Sequence, residues 1–248
     1  MLLQSRRAAC RAAASATASA AAVSLPVAAF AADAPAESIR KAASALPGLG
    51  PPDVLFPVDP FRGRWRVVRE VASVTEPLGA DASVSAGLFR GAPKTEHYET
   101  RFLAYGDDAH VVVDRGFESE RRAAAGAFGS TYAAAAAKWE PSNPNVCTLE
   151  APGGGVLELK VTKRSFEAPG PGAFGSSEYS RIAVAGGAAV PQILARRLQT
   201  KYKWDEGGGI LGLEIHSVYD PQATGFGDLN GASPVLVVKS RLALTRAA

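Results

Sequence analysis

Hydrophobic residues recur at every second position in run after run along this chain. The clearest run is Val156–Arg164, where Leu157, Leu159 and Val161 fall on one side and Glu158, Lys160 and Thr162 on the other. Side chains that reverse direction at each residue belong to a strand with one face in a core and the other in water; a helix would scatter these leucines around its axis. The same reading predicts strands at Trp65–Val74, His97–Tyr105, Ala109–Asp114, Val146–Glu150, Glu178–Val184, Gln192–Trp204, Ile210–Tyr219 and Val235–Thr245. In His97–Tyr105 the residues Tyr98, Thr100, Phe102 and Ala104 share one face. Gly106-Asp107-Asp108 and Pro152-Gly153-Gly154-Gly155 supply turn chemistry between neighbouring runs. One interruption, Glu118–Lys138, has the alanine content of a helix, weakened by Gly126 and Gly129. About nine strands and one helical insert predict a mostly β fold, an antiparallel barrel closed or nearly closed, because closure removes exposed edges.

Ahead of the strands lie two segments of different character. Residues 1–31 carry Arg6, Arg7 and Arg11 and no acid, then a mildly apolar run from Ala20 to Phe30 that ends in Ala29-Phe30-Ala31. A basic start, a short apolar stretch and an A-x-A pattern predict a targeting presequence cleaved after Ala31. The paired Arg6 and Arg7 sit where a twin-arginine export signal has them. Residues 32–60 are rich in proline, glycine and alanine and predict an N-terminal strap, leaving 61–248 as a single β-barrel domain. No stretch is long and apolar enough for a membrane-spanning helix, so the chain is not expected to be an integral membrane protein.

Charge and cysteine usage narrow the function classes. The balance of 27 basic against 24 acidic residues becomes 24 against 24 once the three leader arginines are set aside. A neutral domain lacks the basic footprint that displaces counterions from phosphates, so a nucleic-acid partner is not expected. Cys10 lies in the leader, which leaves Cys147 alone and without an intramolecular disulfide partner. The chain has no G-x-S-x-G elbow, no phosphate-binding G-x-x-x-x-G-K-[ST] loop and no His/Cys pair at metal spacing, so no catalytic residue, cofactor or metal is assigned. His97, His110 and His216 fall on separate strands, and Gly225-Phe226-Gly227-Asp228 lies in a loop with no following helix.

Two sets of strings carry resemblances. Gly63-Arg64-Trp65 opens the first long strand, and Arg246 shares a face with Leu242 and Leu244 in the last one. This pairing is similar to the G-x-W signature of lipocalins and related calycin barrels, and it implies that Trp65 closes one end of a barrel with Arg246 across its ring. A wider set runs in order through Pro52-Asp53-Val54-Leu55-Phe56-Pro57, Gly63-Arg64-Trp65, Pro77-Leu78-Gly79, Trp139 with Asn143-Pro144-Asn145, Glu158–Arg164, Ser177-Glu178 and Thr200–Trp204. It resembles an uncharacterised family of plants, algae and cyanobacteria, a domain of unknown function placed in plants in the thylakoid lumen. The resemblance implies a chloroplast precursor delivered to the lumen, with a bacterial periplasmic or secreted location as the alternative. It brings no catalytic residue with it.

Alternation also selects ligand-binding candidates. Lys163 shares the face of Leu157, Leu159 and Val161, and Arg196 that of Leu194, Leu198, Tyr202 and Trp204. A cation on an apolar wall is costly unless paired, so each needs an acidic neighbour or an anionic ligand. Tyr98, Phe102, Tyr202 and Trp204 would form the walls and Arg196 and Lys163 the anchors of a pocket for a small apolar ligand with an anionic end. The expected function is therefore a non-enzymatic lumen protein binding a lipid-like or pigment-like molecule. A second reading is an assembly factor for thylakoid membrane protein complexes with a packed barrel, and a third is an enzyme of lipid or pigment chemistry.

Overall fold

The alternating runs pair edge to edge into one antiparallel sheet of eleven strands. The computed structural model describes residues 53–83, 86–106, 109–186, 191–204, 206–221 and 232–247; the leader, most of the strap and the turn Gly106-Asp107-Asp108 beyond its glycine lie outside them. In chain order the elements are β1 (Phe56–Pro57), the single turn α1 (Val58–Phe61), β2 (Gly63–Thr75), the single turn α2 (Gly87–Arg90), β3 (Thr95–Tyr105), β4 (His110–Val113) and helix α3 (Arg115–Ala124). They continue as β5 (Ala136–Trp139), β6 (Val146–Glu150), β7 (Val156–Gly170), β8 (Ala173–Ala185), β9 (Gln192–Trp204), β10 (Ile210–Tyr219) and β11 (Leu236–Arg246). The spatial order is β1-β4-β3-β2-β11-β10-β9-β8-β7-β6-β5, so the last strand returns beside β2 and the rest is a meander.

The sheet curls into a half-barrel, with β1 and β5 at its edges. All nine anticipated strands are present, and two short ones, β1 and β5, join them. The anticipated helix is shorter than its alanine content suggested. It begins at Asp114, whose side chain accepts the Phe117 N–H at 2.9 Å as an N-cap, and it stops at Ala124. Gly126 and Gly129 then take φ of 89° and 77°, values that break a right-handed helix, and the chain resumes as β5. Asp53–Pro60, read as strap, is part of the packed domain: Asp53, Val54 and Phe56 are buried.

Two apolar cores fill opposite parts of the curl. One gathers Phe56, Phe61, Trp65, Phe102, Phe174 and Leu244. The other gathers Leu149, Leu157, Ile182, Leu194, Val218 and Leu236, with Phe89 and Phe128 from the connecting segments. At the first core, the Trp65 ring is fully buried and its Nε1 donates to the Phe61 carbonyl at 2.7 Å. The Arg246 guanidinium lies 4.6 Å from the centroid of that ring and donates to the Arg62 and Pro60 carbonyls at 2.6 and 3.0 Å. Cross-strand register places Arg246 directly opposite Trp65. The late arginine thus packs across the tryptophan, as the resemblance to the G-x-W signature implied.

Candidate functional site

Between the two cores, the inward positions of five strands turn polar. β2 reads Trp65, Val67, Arg69, Val71; β8 reads Phe174, Ser176, Glu178, Ser180, Ile182; β10 reads Ile210, Gly212, Glu214, His216, Val218. On β9 the belt residues are Arg196 and Thr200, and on β11 Ser240. Each strand enters the belt at the same height because the ladder aligns them: Ser180 lies opposite Arg196, Ser176 opposite Thr200, Thr200 opposite Glu214 and Glu214 opposite Ser240. Helix α3 lies alongside and brings Arg115, Glu118, Ser119 and Arg122, spaced three and four residues apart on one face.

The belt surrounds a cavity of about 110 Å³. Its apolar wall is made by Phe56, Val67, Phe102, Leu159, Leu242 and Leu244, and its polar wall by Tyr98, Thr100, Arg122, Arg196, Thr200 and Glu214. Drug-sized and pigment-sized ligands occupy clefts of roughly 300–1,000 Å³. This space suits an ion or a molecular end of a few heavy atoms, since a water takes about 30 Å³ of liquid volume.

Most of the buried charge is tightly matched. Arg69, 2% exposed, donates from Nε to Glu214 and from Nη1 to Glu96, each at 2.7 Å. Arg115 holds Glu178 through Nη1 and Nη2 at 3.0 and 2.7 Å and also pairs with Asp53. Arg164 reaches the same Glu178 at 3.3 Å and donates to Asn145 at 2.6 Å. Burial pushes the Glu214 carboxyl up, but the charges of Arg122 and Arg69 outweigh it and hold the group at about 2. Glu178 also lies below its ordinary value: burial raises it, and the charge and hydrogen bonds of Arg115 lower it further than that.

Arg122 and Arg196 are matched much less well. Arg122 faces Glu96 and Glu214 at 3.7 and 3.9 Å, beyond hydrogen-bond reach, its Nε is buried without a partner, and its guanidinium lies over the Tyr98 ring at 5.5 Å. Arg196, 8% exposed, donates from Nε to the Ser180 hydroxyl at 3.0 Å and has no ion pair among the described residues. Burial and the neighbouring charge of Arg122 push its guanidinium down to about 10, only partly offset by Glu178 and Glu214. Buried His216 lies well below its ordinary value, first because burial disfavours the cation and then because of Arg196, so at neutral pH it adds no positive charge. Five guanidinium groups (Arg69, Arg115, Arg122, Arg164, Arg196) and five carboxylates (Asp53, Glu96, Glu118, Glu178, Glu214) make the belt neutral in sum. Its positive character at the cavity is therefore local, arising where two arginines keep unused donors.

Of the residues singled out from alternation, Arg196, Tyr202, Tyr98 and Phe102 come together on the cavity wall. Trp204 does not line it: its ring packs edge-on against Phe61, with centroids 5.5 Å apart, and joins the first core. Lys163 is on the outside of the sheet. A register shift between Val161 and Lys163 inserts an extra residue, so strict alternation fails there and Arg164 points inward in its place. Arg115 falls before the expected start of the helix at Glu118, and Arg122, though within it, lies on a helix face that the sequence does not orient. The glutamates of the belt had a visible signal, polar residues at inward positions of several strands at once. Cys147 is buried beside the Ser119 hydroxyl and the Arg115 carbonyl, and burial pushes its thiol up. Among the described residues no group of histidine, cysteine and acidic side chains is arranged to hold a metal, and no helix is long and apolar enough to cross a membrane.

Neither a curated protein nor a solved structure gives a match to this chain. Residues 48–248 match a family model whose description is domain of unknown function DUF6816, and the chain belongs to that family.

Proposed function

We propose that the domain is a non-enzymatic binding protein whose half-barrel cavity holds a small molecule by its anionic end, a carboxylate or phosphate with a short apolar body. The observation that carries this reading is Arg196, a buried guanidinium on the cavity wall whose partner among the described residues is a neutral hydroxyl. A buried cation left without a counter-charge costs several kcal/mol, and an anionic ligand would remove that cost. Arg122 adds a second guanidinium, Tyr98, Tyr202 and Thr200 add hydroxyls, and the Phe102 and Leu242 side supplies apolar contact. The cavity volume narrows the expected cargo from a whole lipid or pigment to a group of a few heavy atoms. Delivery to the thylakoid lumen belongs to the same proposal and rests on the arginine-bearing leader and the family resemblance.

The test compares melting temperatures of the wild type and Arg196→Gln with inorganic phosphate, acetate and octanoate, using chloride at equal ionic strength as control. An anion at a hundred times its Kd stabilises the wild type by about 2.7 kcal/mol, a rise on the order of 5–10 °C for a domain of this size. The Arg196→Gln protein should show no such rise, and without anion it should melt at or above the wild-type temperature. No rise in the wild type with any of the three anions, together with a large loss of stability in the empty variant, refutes the binding reading. That outcome would favour the assembly-factor reading, which draws its support from the two buried apolar clusters on either side of the cavity.

A further inference from the structure

The convex face of the sheet carries an apolar centre in a basic frame. Leu211 and Leu213 on β10 are 67% and 58% exposed, among the most exposed large hydrophobic side chains of the described residues. Register fixes their neighbours. Lys203, Leu211 and Ala243 form one row across β9, β10 and β11; Lys201, Leu213 and Arg241 form the next; Gln199, Ile215 and Lys239 form the third. The flanking strands continue these rows with Ala173, Gly175 and Ser177 on β8 and with Val68, Glu70 and Ser73 on β2. Four cations thus border the leucines. The carboxylates in and beside these rows are Glu70, across from Arg241, and Glu167 on β7, opposite Gly175.

We infer that this face docks on an anionic lipid surface. Two leucines at the centre of three adjacent strands have no function in the core, and alternation alone would place polar residues there. Lysine side chains are long enough to reach headgroups while the leucines between them enter the boundary with the acyl chains. The composition argues against a protein partner: protein interfaces are depleted in lysine and enriched in aromatic residues, whereas these rows hold Lys201, Lys203 and Lys239 and no aromatic ring. The inference stands apart from the cavity, whose residues project from the opposite face of the same strands.

Co-sedimentation of the full chain with vesicles tests it. Vesicles of phosphatidylcholine with one-quarter phosphatidylglycerol should retain the wild type, and pure phosphatidylcholine should retain far less. Each lysine near an anionic surface contributes about a fivefold increase in binding, so Lys201→Gln with Lys203→Gln should weaken partition roughly 25-fold. Leu211→Gln with Leu213→Gln should reduce partition at unchanged charge, and because both leucines are exposed the melting temperature should hold. Equal binding to neutral vesicles, or binding unaltered in both double variants, overturns the inference. Capture by a polyglutamate surface without any vesicle binding also overturns it and assigns the face to an acidic protein.

Discussion

Replacing Arg69 by methionine removes the cation that holds two buried carboxylates at once. Its Nε and Nη1 each make a 2.7 Å contact, to Glu214 and Glu96, and all three side chains are 3% exposed or less. After the change the nearest described cation to both carboxylates is Arg122, at 3.7 and 3.9 Å. Breaking a buried pair by removing one partner costs about 3–5 kcal/mol. At roughly 2–4 °C per kcal/mol for a domain of this size, the melting temperature should fall on the order of 10 °C. Acidity should narrow the gap. In the wild type Glu214 has a depressed value of about 2, so its stabilisation is full above the unfolded value near 4.5 and is lost as pH falls towards 2. In Arg69→Met the Glu214 carboxyl loses one of the two arginine charges that hold it down and protonates more readily in the folded state, so the penalty shrinks over that same window. Urea unfolding of both proteins from pH 7 to pH 3 measures this. A deficit below about 1 kcal/mol at pH 7, or one that stays constant down to pH 3, refutes the claim that Arg69 is the counter-charge of the belt. Adding Glu96→Gln to Arg69→Met should recover part of the loss, because one stranded carboxylate is then gone and Glu214 still faces Arg122.

Two further changes probe the walls. Trp65→Ala truncates a fully buried ring that also supports Arg246, and should cost about 3–5 kcal/mol in equilibrium unfolding; a loss under about 1 kcal/mol would mean that the ring does not close this end of the core. Gly212→Ala places a methyl 3.0 Å from Tyr202 Cδ1 and 3.1 Å from Leu242 Cβ, so the Tyr202 ring must move. Overpacking of this kind costs about 1–3 kcal/mol, and an alanine variant as stable as the wild type would show that the cavity wall is looser than the geometry implies.

Period-two alternation was sufficient to place nearly every strand, because sheets with one buried face impose that period wherever the ladder is regular. It failed where the ladder is irregular. At Val161/Lys163 one inserted residue reversed the direction of the side chains that follow, and no pattern of hydrophobicity in Lys163-Arg164-Ser165 reveals which of the two cations turns inward. The helix was misplaced for a different reason: alanine content extends to Ala137, but the glycines at 126 and 129 end the helix, and the last alanines serve as an edge strand. The site was half legible. Arg196, Tyr202, Tyr98 and Phe102 could be found because each lies on a strand whose face was known. Arg115 and Arg122 come from the helix, and nothing in a single sequence reports which face of a helix meets which strand.

An interior of this kind gives up stability to hold charge. A half-barrel of this size could join its two apolar cores through valine and leucine, and replacing buried ion pairs by packed hydrophobic residues is often neutral or stabilising by about 1–4 kcal/mol. The belt instead sets five guanidinium groups among five carboxylates. Three of them have hydrogen-bonded carboxylates: Arg69 with Glu96 and Glu214, Arg115 with Asp53 and Glu178, and Arg164 with Glu178. Arg115 ties α3 and the N-terminal segment to β8, Arg69 ties β2 to β3 and β10, and Arg164 ties β7 to Asn145, so a structural role accounts for them. Arg122 is held by longer contacts and by the Tyr98 ring. Arg196 joins no two elements that the ladder has not already joined, since Ser180 is its cross-strand neighbour. It lines the cavity, which has both an apolar and a polar wall. A structural account covers the hydrogen-bonded pairs of the belt, and the proposed function assigns Arg196 to the anion.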